Sequence, residues 1–166
     1  IGYITYKRTY ARKINENKEQ TEEFEDTIGR VLKACDKQLK VGFTEAEEAE
    51  VKEIMLSLKG SVAGRFLWQL GTKTVDKLGL PSLQNCAGVV VNEPIRPFTW
   101  AMDLLMLGSG VGYNIQKEHV YSLPKLGKKI KIIRKDTNDA DFIVPDSREG
   151  WVKLLGKVLK AHFYGN

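Results

Sequence analysis

Three short stretches carry residue types that can do chemistry. In "SLQNCAGVVV", Cys86 stands between an amide-bearing turn and a β-branched run. A thiolate there is a nucleophile or a reductant, whereas a thiol packed into a strand is only a small hydrophobe. No histidine or adjacent base accompanies it in the sequence, which disfavours a cysteine hydrolase and leaves both readings open. In "LGSGVGYN", the glycines at 108, 110 and 112 let a ligand approach the backbone, because no Cβ stands in the way. That segment leaves a helical pattern and enters a strand, the reverse of the dinucleotide-binding order, so a tight turn suits it as well as a ligand wall does. In "LGTKT", Thr72 and Thr74 beside Gly71 offer hydroxyls and N–H groups to phosphate oxygens, or form an ordinary polar turn. Arg65 in "AGRFLW" either meets an anion or ties its loop to a carboxylate.

The totals bound what these residues can be. The 166 residues, 42% hydrophobic and 28% charged, suit a single soluble folding unit with a real core. A net charge of +5, from 26 basic and 21 acidic residues, suits an anionic ligand such as a nucleotide but is too modest to imply nucleic acid. Cys35 and Cys86 are far apart, and His119 and His162 are few and separated, so neither a disulfide framework nor a metal site is expected. This cysteine usage points to a reducing, cytoplasmic setting. No apolar run approaches the length of a membrane span, and no signal peptide opens the chain. The chain starts at Ile rather than Met and stops just after a strong helical pattern, which reads as a piece of something larger.

The elements that must position these residues follow from periodicity. "GYITYKRTYARKI" alternates aromatic or β-branched residues with basic ones and predicts an extended arm or edge strand. Behind Thr21, Phe24, Ile28, Val31, Leu32, Cys35 and Leu39 fall on one helical face, which makes Cys35 a core thiol. Thr44 and Glu47 form a capping box for a second helix, with Val51, Ile54, Met55 and Leu58 inward and Gly60 as its stop. Residues 60–86 read as a loop held against a core by Phe66, Leu67 and Trp68. "CAGVVV" predicts a buried strand, "FTWAMDLLMLG" a helix ending at Gly108, "VGYNI" a second strand and "KKIKIIRK" a third. The last helix is expected to start from Asp146 as N-cap with Glu149 three residues on. Its buried stripe would be Trp151, Val152, Leu154, Leu155, Val158 and Leu159. Strands alternating with helices after a helical start imply an α/β layer, with residues 1–60 as the helical region and 61–166 as the α/β part.

Taken in order, "YKRTYARKI", "TEEFEDTIGRVLKAC", "SVAGRFLWQLGT", "SLQNCAGVVV", "GSGVGYNI" and "PDSREGWVKLL" resemble the amino-terminal part of ribonucleotide reductase. The closest likeness is to the adenosylcobalamin-dependent (class II) type that acts as a monomer on nucleoside triphosphates. It covers nearly the whole chain except residues 125–141. The resemblance implies a helical amino-terminal region followed by the first strands and helices of a ten-stranded α/β barrel, incomplete in this chain. It implies that Cys86, in "QNC", is one of two thiols that reduce a ribonucleotide and become a disulfide at each turnover. It makes Asn85, Ser109, Gly110 and Val111 candidates for contact with ribose or base, and Thr72 for contact with phosphate. The region from Val120 to "PDSREGW" corresponds to the site of an allosteric deoxynucleotide effector, where Asp146 and Arg148 are the candidates.

The implied cofactor is adenosylcobalamin, held mainly by parts outside this chain, and the implied co-reactant is a thioredoxin-type or dithiol reductant. The family's radical cysteine, the partner of Cys86, the catalytic asparagine and glutamate, and the shuttle cysteines all lie downstream of anything present. A second chain or segment carrying the rest of the barrel is therefore expected, whether the gene is split, intein-interrupted or truncated. Two other readings remain at this level: a non-catalytic nucleotide-binding regulatory module, and a reductase of another class on the same barrel. A barrel cut after its first strands would leave unpaired edges and an apolar face.

Overall fold

The computed structural model describes residues 2–14, 20–127, 130–135 and 137–165. The contacts divide the chain into two compact units, Ile1–Leu83 and Gln84–Asn166, rather than the single one its length suggests.

The first unit is helical. Its helices are α1 (Gly2–Thr9), α2 (Phe24–Ala34), α3 (Glu45–Leu56), α4 (Gly64–Gln69) and α5 (Lys73–Leu78). A π-helical turn, Cys35–Leu39, prolongs α2, and a 3₁₀ turn, Leu80–Leu83, closes the unit. The apolar stripe read from the sequence is the packing axis. Val31, Ala34 and Cys35 meet Leu70, Val75 and Leu83, while Ile28 and Leu32 meet Met55. Cys35 is a core thiol, and burial, followed by the charge of Asp36, raises its pKa.

Residues 2–9 form a helix where an extended arm was expected. Tyr3, Tyr6 and Tyr10 also fall at helical spacing, and tertiary contact selects that reading. The Tyr6 ring stands edge-on to Phe24 at 5.5 Å, and its hydroxyl shares a 2.7 Å hydrogen bond with Thr27 Oγ1. A lone antiparallel bridge between Lys13 and Thr21 is the extended part that survives.

The capping box of α3 forms as expected: Thr44 Oγ1 accepts from Glu47 N at 3.3 Å, and the Glu47 carboxylate accepts from Thr44 N at 2.9 Å. The helix stops before Gly60, because Leu58 takes the left-handed position with φ +58°, and Leu58 is 77% exposed rather than inward. The expected loop over 60–86 is largely helical. Its glycines punctuate short helices instead of loosening the chain. Gly71, at φ +77°, is required, since a Cβ there would sit 2.8 Å from Arg30 Cγ.

A buried ion pair ties these pieces together. The Glu22 carboxylate accepts from Arg30 Nε at 2.7 Å, Arg30 Nη2 at 3.0 Å, Thr27 Oγ1 at 2.7 Å and Arg12 N at 3.0 Å. Arg30 also donates to the carbonyls of Leu67 and Leu70, joining α2 to α4.

In the second unit, β1 (Cys86–Val90), α6 (Arg96–Met106) and β2 (Gly110–Asn114) form a parallel βαβ unit. The fold is thus mixed helix and strand, with a two-stranded parallel sheet. The short α7 (Lys117–Val120) follows, and α8 (Arg148–Tyr164) packs along α6. Gly156 faces Thr99 and Ile95 of α6 and its capping turn, where a Cβ would make ordinary contacts at 3.5 and 3.9 Å.

The N-cap of α8 is Ser147, not Asp146. Ser147 Oγ accepts from Gly150 N at 3.1 Å. A Cβ at Gly150 would stand 2.3 Å from the Pro145 carbonyl, so the fold-back of the chain decides between two equally good capping residues. Trp151, placed on the expected buried stripe, is 45% exposed. Among the described residues of the expected third strand, 130–135 form no strand, while Lys128 and Lys129 lie outside the described residues. No helix of the described residues is long and apolar enough to cross a membrane.

The ion pair generates a pH prediction. Burial raises the Glu22 pKa, but the bonds from Arg30, Thr27 and Arg12 outweigh burial and hold it below its ordinary value. A carboxyl depressed on folding stabilises the protein above its unfolded-state pKa, and that contribution is lost as pH falls through the folded value. Glu22→Gln is expected to cost about 3–5 kcal/mol at neutral pH, because it strands a buried guanidinium. It should also flatten the acid limb of stability in urea melts; an unchanged acid slope would remove Glu22 as its origin.

Candidate functional site

The second unit fixes Cys86 in place by its neighbours. Ser109 Oγ donates to the Gln84 carbonyl at 2.6 Å, and Gly110 N donates to the Asn85 carbonyl at 2.8 Å. At the other end of the ladder, Val91 N donates to the Asn114 carbonyl at 3.0 Å. Gly108, at φ +84°, turns the chain out of α6 so that the next residues can reach these partners. The register that results pairs Cys86 with Gly110 and Gly88 with Gly112.

Side chains alternate across a strand, and residues paired across parallel strands share a face. Cys86, Gly88, Gly110 and Gly112 therefore lie on one face, and all four are exposed. The thiol is bordered along its own strand and across the ladder by residues without side chains. None of these three glycines has a positive φ. A Cβ at Gly88 would meet nothing within 4 Å, and at Gly110 or Gly112 it would meet only a carbonyl oxygen at 3.8 or 4.0 Å. Neither backbone conformation nor internal packing demands glycine at these places. The result is a shelf of backbone, free of side chains at these three positions, beside an exposed thiol.

"CAGVVV" was expected to be buried, but Cys86–Val90 alternates between exposed and half-buried, with the thiol on the open side, and only Val91 at its end is buried. Of the other residues singled out in the sequence, Asn85 is exposed and adjoins the shelf through its carbonyl. Gly110 is part of the shelf. Ser109 is buried, its hydroxyl spent on Gln84. Val111 pairs with Ala87 on the opposite, half-buried face. Asp146 is exposed, and Arg148 is held by Asp103 at 3.3 Å and Glu149 at 2.6 Å, which clamps the start of α8 to α6.

Thr72 belongs to the first unit, where its hydroxyl donates to the Gln69 carbonyl at 2.7 Å and accepts from Thr74 N at 3.3 Å. This is the polar-turn arrangement, at the edge of an open groove. Arg65 donates to the Ser82 carbonyl at 3.3 Å. The sequence reading missed Gly88 and the pairing of Gly112. The signal for both was present: glycine two residues from Cys86, and glycines two apart in the strand that pairs with it.

Among the described residues, no group of three or more His, Cys, Asp or Glu side chains could hold a metal ion. The contrast between the two thiols is directly testable. Cys86 is exposed, and Cys35 is buried with a raised pKa. Iodoacetamide at neutral pH is expected to modify Cys86 in the folded chain and to reach Cys35 only on unfolding. Mass mapping that found Cys35 labelled first would contradict this placement.

Similarity to known proteins is extensive in coverage and modest in identity. The chain is 31% identical over 181 residues to the adenosylcobalamin-dependent ribonucleoside-triphosphate reductase of Euglena gracilis, covering 98% of this chain and 24% of that protein. It is 26% identical over 220 residues to the enzyme of that name from Lactobacillus gasseri, covering 98% of this chain and 29% of that protein. The corresponding protein of Lactobacillus leichmannii is 27% identical over 217 residues, with the same coverages. The chain thus spans less than a third of the length of these relatives. No family model matches the chain. No solved structure matches it either.

Proposed function

We propose that this chain, similar along 98% of its length to adenosylcobalamin-dependent ribonucleoside-triphosphate reductases, supplies the amino-terminal part of such an enzyme. In this reading β1 and β2 are the first strands of a ten-stranded α/β barrel, and the substrate is a ribonucleoside triphosphate. The observation that carries the reading is the exposed Cys86 on a shelf of three glycines.

Replacing a 2′-hydroxyl by hydrogen releases water and consumes two electrons and two protons. Two thiols supply both and end as an S–S bond. Cys86 is one of the two. Its partner lies outside this chain, since Cys35 is buried in the core of the first unit. Among the described residues, β1 pairs with β2 alone, so its other edge is open. A strand laid against that edge would run about 4.8 Å away, within the Cα separation of about 4.4–6.8 Å that a disulfide requires. Val90, Leu105, Met106 and Ile115 are exposed large apolar residues of the same unit, and the rest of the barrel would cover them.

A thioredoxin-type or dithiol reductant then restores the thiols by exchange. Asn85, Ser109, Gly110 and Val111 hold the segment against which the ribose and base lie. Gly110 does so directly and Ser109 through its bond to Gln84. Thr72 serves the substrate phosphates, and Asp146 and Arg148 serve a deoxynucleotide effector. Adenosylcobalamin would supply the radical that starts the reaction. The described residues do not by themselves fit it: the groove of about 860 Å³ in the first unit is lined by charged side chains, Arg8, Arg12, Lys13, Glu22, Arg30 and Lys73, rather than by the broad apolar surface a corrin needs. The reaction belongs to the cytoplasm, where thiols are kept reduced.

With the remaining barrel supplied, Cys86→Ser is expected to abolish multiple-turnover reduction. After turnover without added reductant, Cys86 should be found disulfide-linked to a cysteine of the other segment. Normal turnover by the serine variant would remove Cys86 from the reaction. The shelf makes a separate prediction. Gly112→Val should leave the far-UV circular dichroism unchanged, because the site has room for a Cβ. It should weaken substrate use by roughly tenfold or more, as a branched side chain occupies the ligand's place. Full activity in that variant would show that the shelf faces no substrate.

A further inference from the structure

The register of the sheet defines what the free edge of β1 presents. The Asn85 carbonyl accepts from Gly110 N, and Val91 N donates to the Asn114 carbonyl, so the main-chain groups of residues 85, 87, 89 and 91 turn toward β2. Main-chain groups alternate in direction along a strand, and the N–H and C=O of Cys86, Gly88 and Val90 therefore turn outward. Among the described residues none bonds to them. They open onto a groove of about 390 Å³, with Gly88 and Val90 on one wall and Arg96, Pro97 and Trp100 of α6 on the other. Exposed edges are commonly guarded by a charge or a proline, and "CAGVV" has neither.

A row of unpaired N–H and C=O groups calls for another strand, and this strand is complementary to itself. Antiparallel pairing about a two-fold axis at Gly88 sets Cys86 against Val90 of a second copy, Gly88 against Gly88 and Val90 against Cys86. All three are outward residues, so the paired residues exchange both N–H···O bonds. Between them Ala87 meets Val89. Every pair is apolar, each valine meets a smaller residue, and the residues on the axis have no side chains to collide. An axis at Ala87 or Val89 would instead leave one of the three outward residues beyond the overlap of the strands. Val90 and Trp100, 38% and 40% exposed, flank the edge and would be covered by the second copy. We infer that this edge pairs with the same edge of a second copy, in a closed two-fold dimer whose two sheets form one continuous sheet. A strand supplied by the rest of the reductase would take the same edge, so the dimer is the state of the chain without that segment.

Analytical ultracentrifugation of the full chain tests it, with Gly88→Pro and Val90→Cys as the variants. The wild-type chain should sediment as a dimer that dissociates on dilution. Proline at position 88 removes only an outward N–H, and a Cβ there meets nothing within 4 Å. Gly88→Pro should thus keep its circular dichroism and weaken dimerisation by roughly tenfold or more. In Val90→Cys, Cys86 of each copy faces the new thiol of the other at a Cα separation of about 5.5 Å, which a disulfide spans. Diamide accepts the two protons and two electrons released as each S–S bond forms, and should give a covalent dimer linked between positions 86 and 90. The wild-type chain should give none, because the two Cys86 residues stand about 14 Å apart along the paired strands. A wild-type chain that stays monomeric overturns the dimer and leaves the role proposed for Cys86 untouched. The dimer is equally overturned if it survives Gly88→Pro, if position 90 fails to link or Cys86 links to Cys86 instead, or if larger assemblies form in its place.

Discussion

Parallel pairing in one particular register is the constraint on which the reactive face depends. Because side chains alternate with a period of two, a shift of one residue in the β1–β2 pairing would set Ser109 or Val111 opposite Cys86. The glycines would then lie on the opposite face. Two bonds at the entrance to the ladder, from Ser109 to Gln84 and from Gly110 to Asn85, make that shift costly. A third, from Val91 to Asn114, closes the far end. The supports for this register extend outward through the unit. Gly108 releases the chain from α6 at the angle the ladder needs, and α6 is braced by α8, which packs along it and is tied to it by the Arg148–Asp103 pair. The residues nearest the thiol thus carry little bulk, and the rigidity of the face comes from elements behind it.

In the first unit the organising feature is a buried charge pair. A hydrophobic core alone would leave α4 free to slide along α2. Arg30, by reaching two carbonyls of the α4 segment while held by Glu22, fixes their relative position. Gly71 is the local cost of that reach, since a side chain there would collide with the arginine stem. The arrangement has an electrostatic consequence. Glu22 balances the charge of Arg30, so Arg8, Arg12, Lys13 and Lys73 leave an excess of positive charge along the groove they line. Overall charge gave no hint of this, because +5 spread evenly over the surface would have looked the same in the composition.

The elements most legible in the sequence were those whose signal is local and repeated. The α2 stripe, the Thr44–Glu47 box, both strands and the helix between them stand where periodicity places them. Legibility failed where two local readings were equally good and a distant contact chose between them. Tyr3, Tyr6 and Tyr10 fit a strand or a helix, and the Phe24 ring and Thr27 hydroxyl decide the matter. Asp146 and Ser147 are both capable caps, and the Pro145 carbonyl beneath Gly150 decides that one. At the site itself, Cys86 and the glycine segment were identified from residue type. Their sharing of a face was not, since register is a property of the pairing and neither strand encodes it alone.

The two cysteines show why exposure, rather than residue type, settles which thiol is available for chemistry. Both follow apolar patterns, and both look like core residues from local sequence. Cys35 lies where α2 packs on its neighbours, and a thiolate there would be stripped of solvent beside the negative charge of Asp36. Cys86 begins a strand on whose open face its nearest neighbours, Gly88 and Gly110, have no side chains, and whose outer edge has no partner among the described residues. A sulfur that cycles between thiol and disulfide must be fixed at its backbone, so that its partner finds it, and free at its side chain, so that bonding does not disturb packing. The ladder and the bonds of Gln84 and Asn85 meet the first requirement, and the glycine shelf meets the second. A buried strand thiol would satisfy only the first, and a thiol on a loose turn only the second.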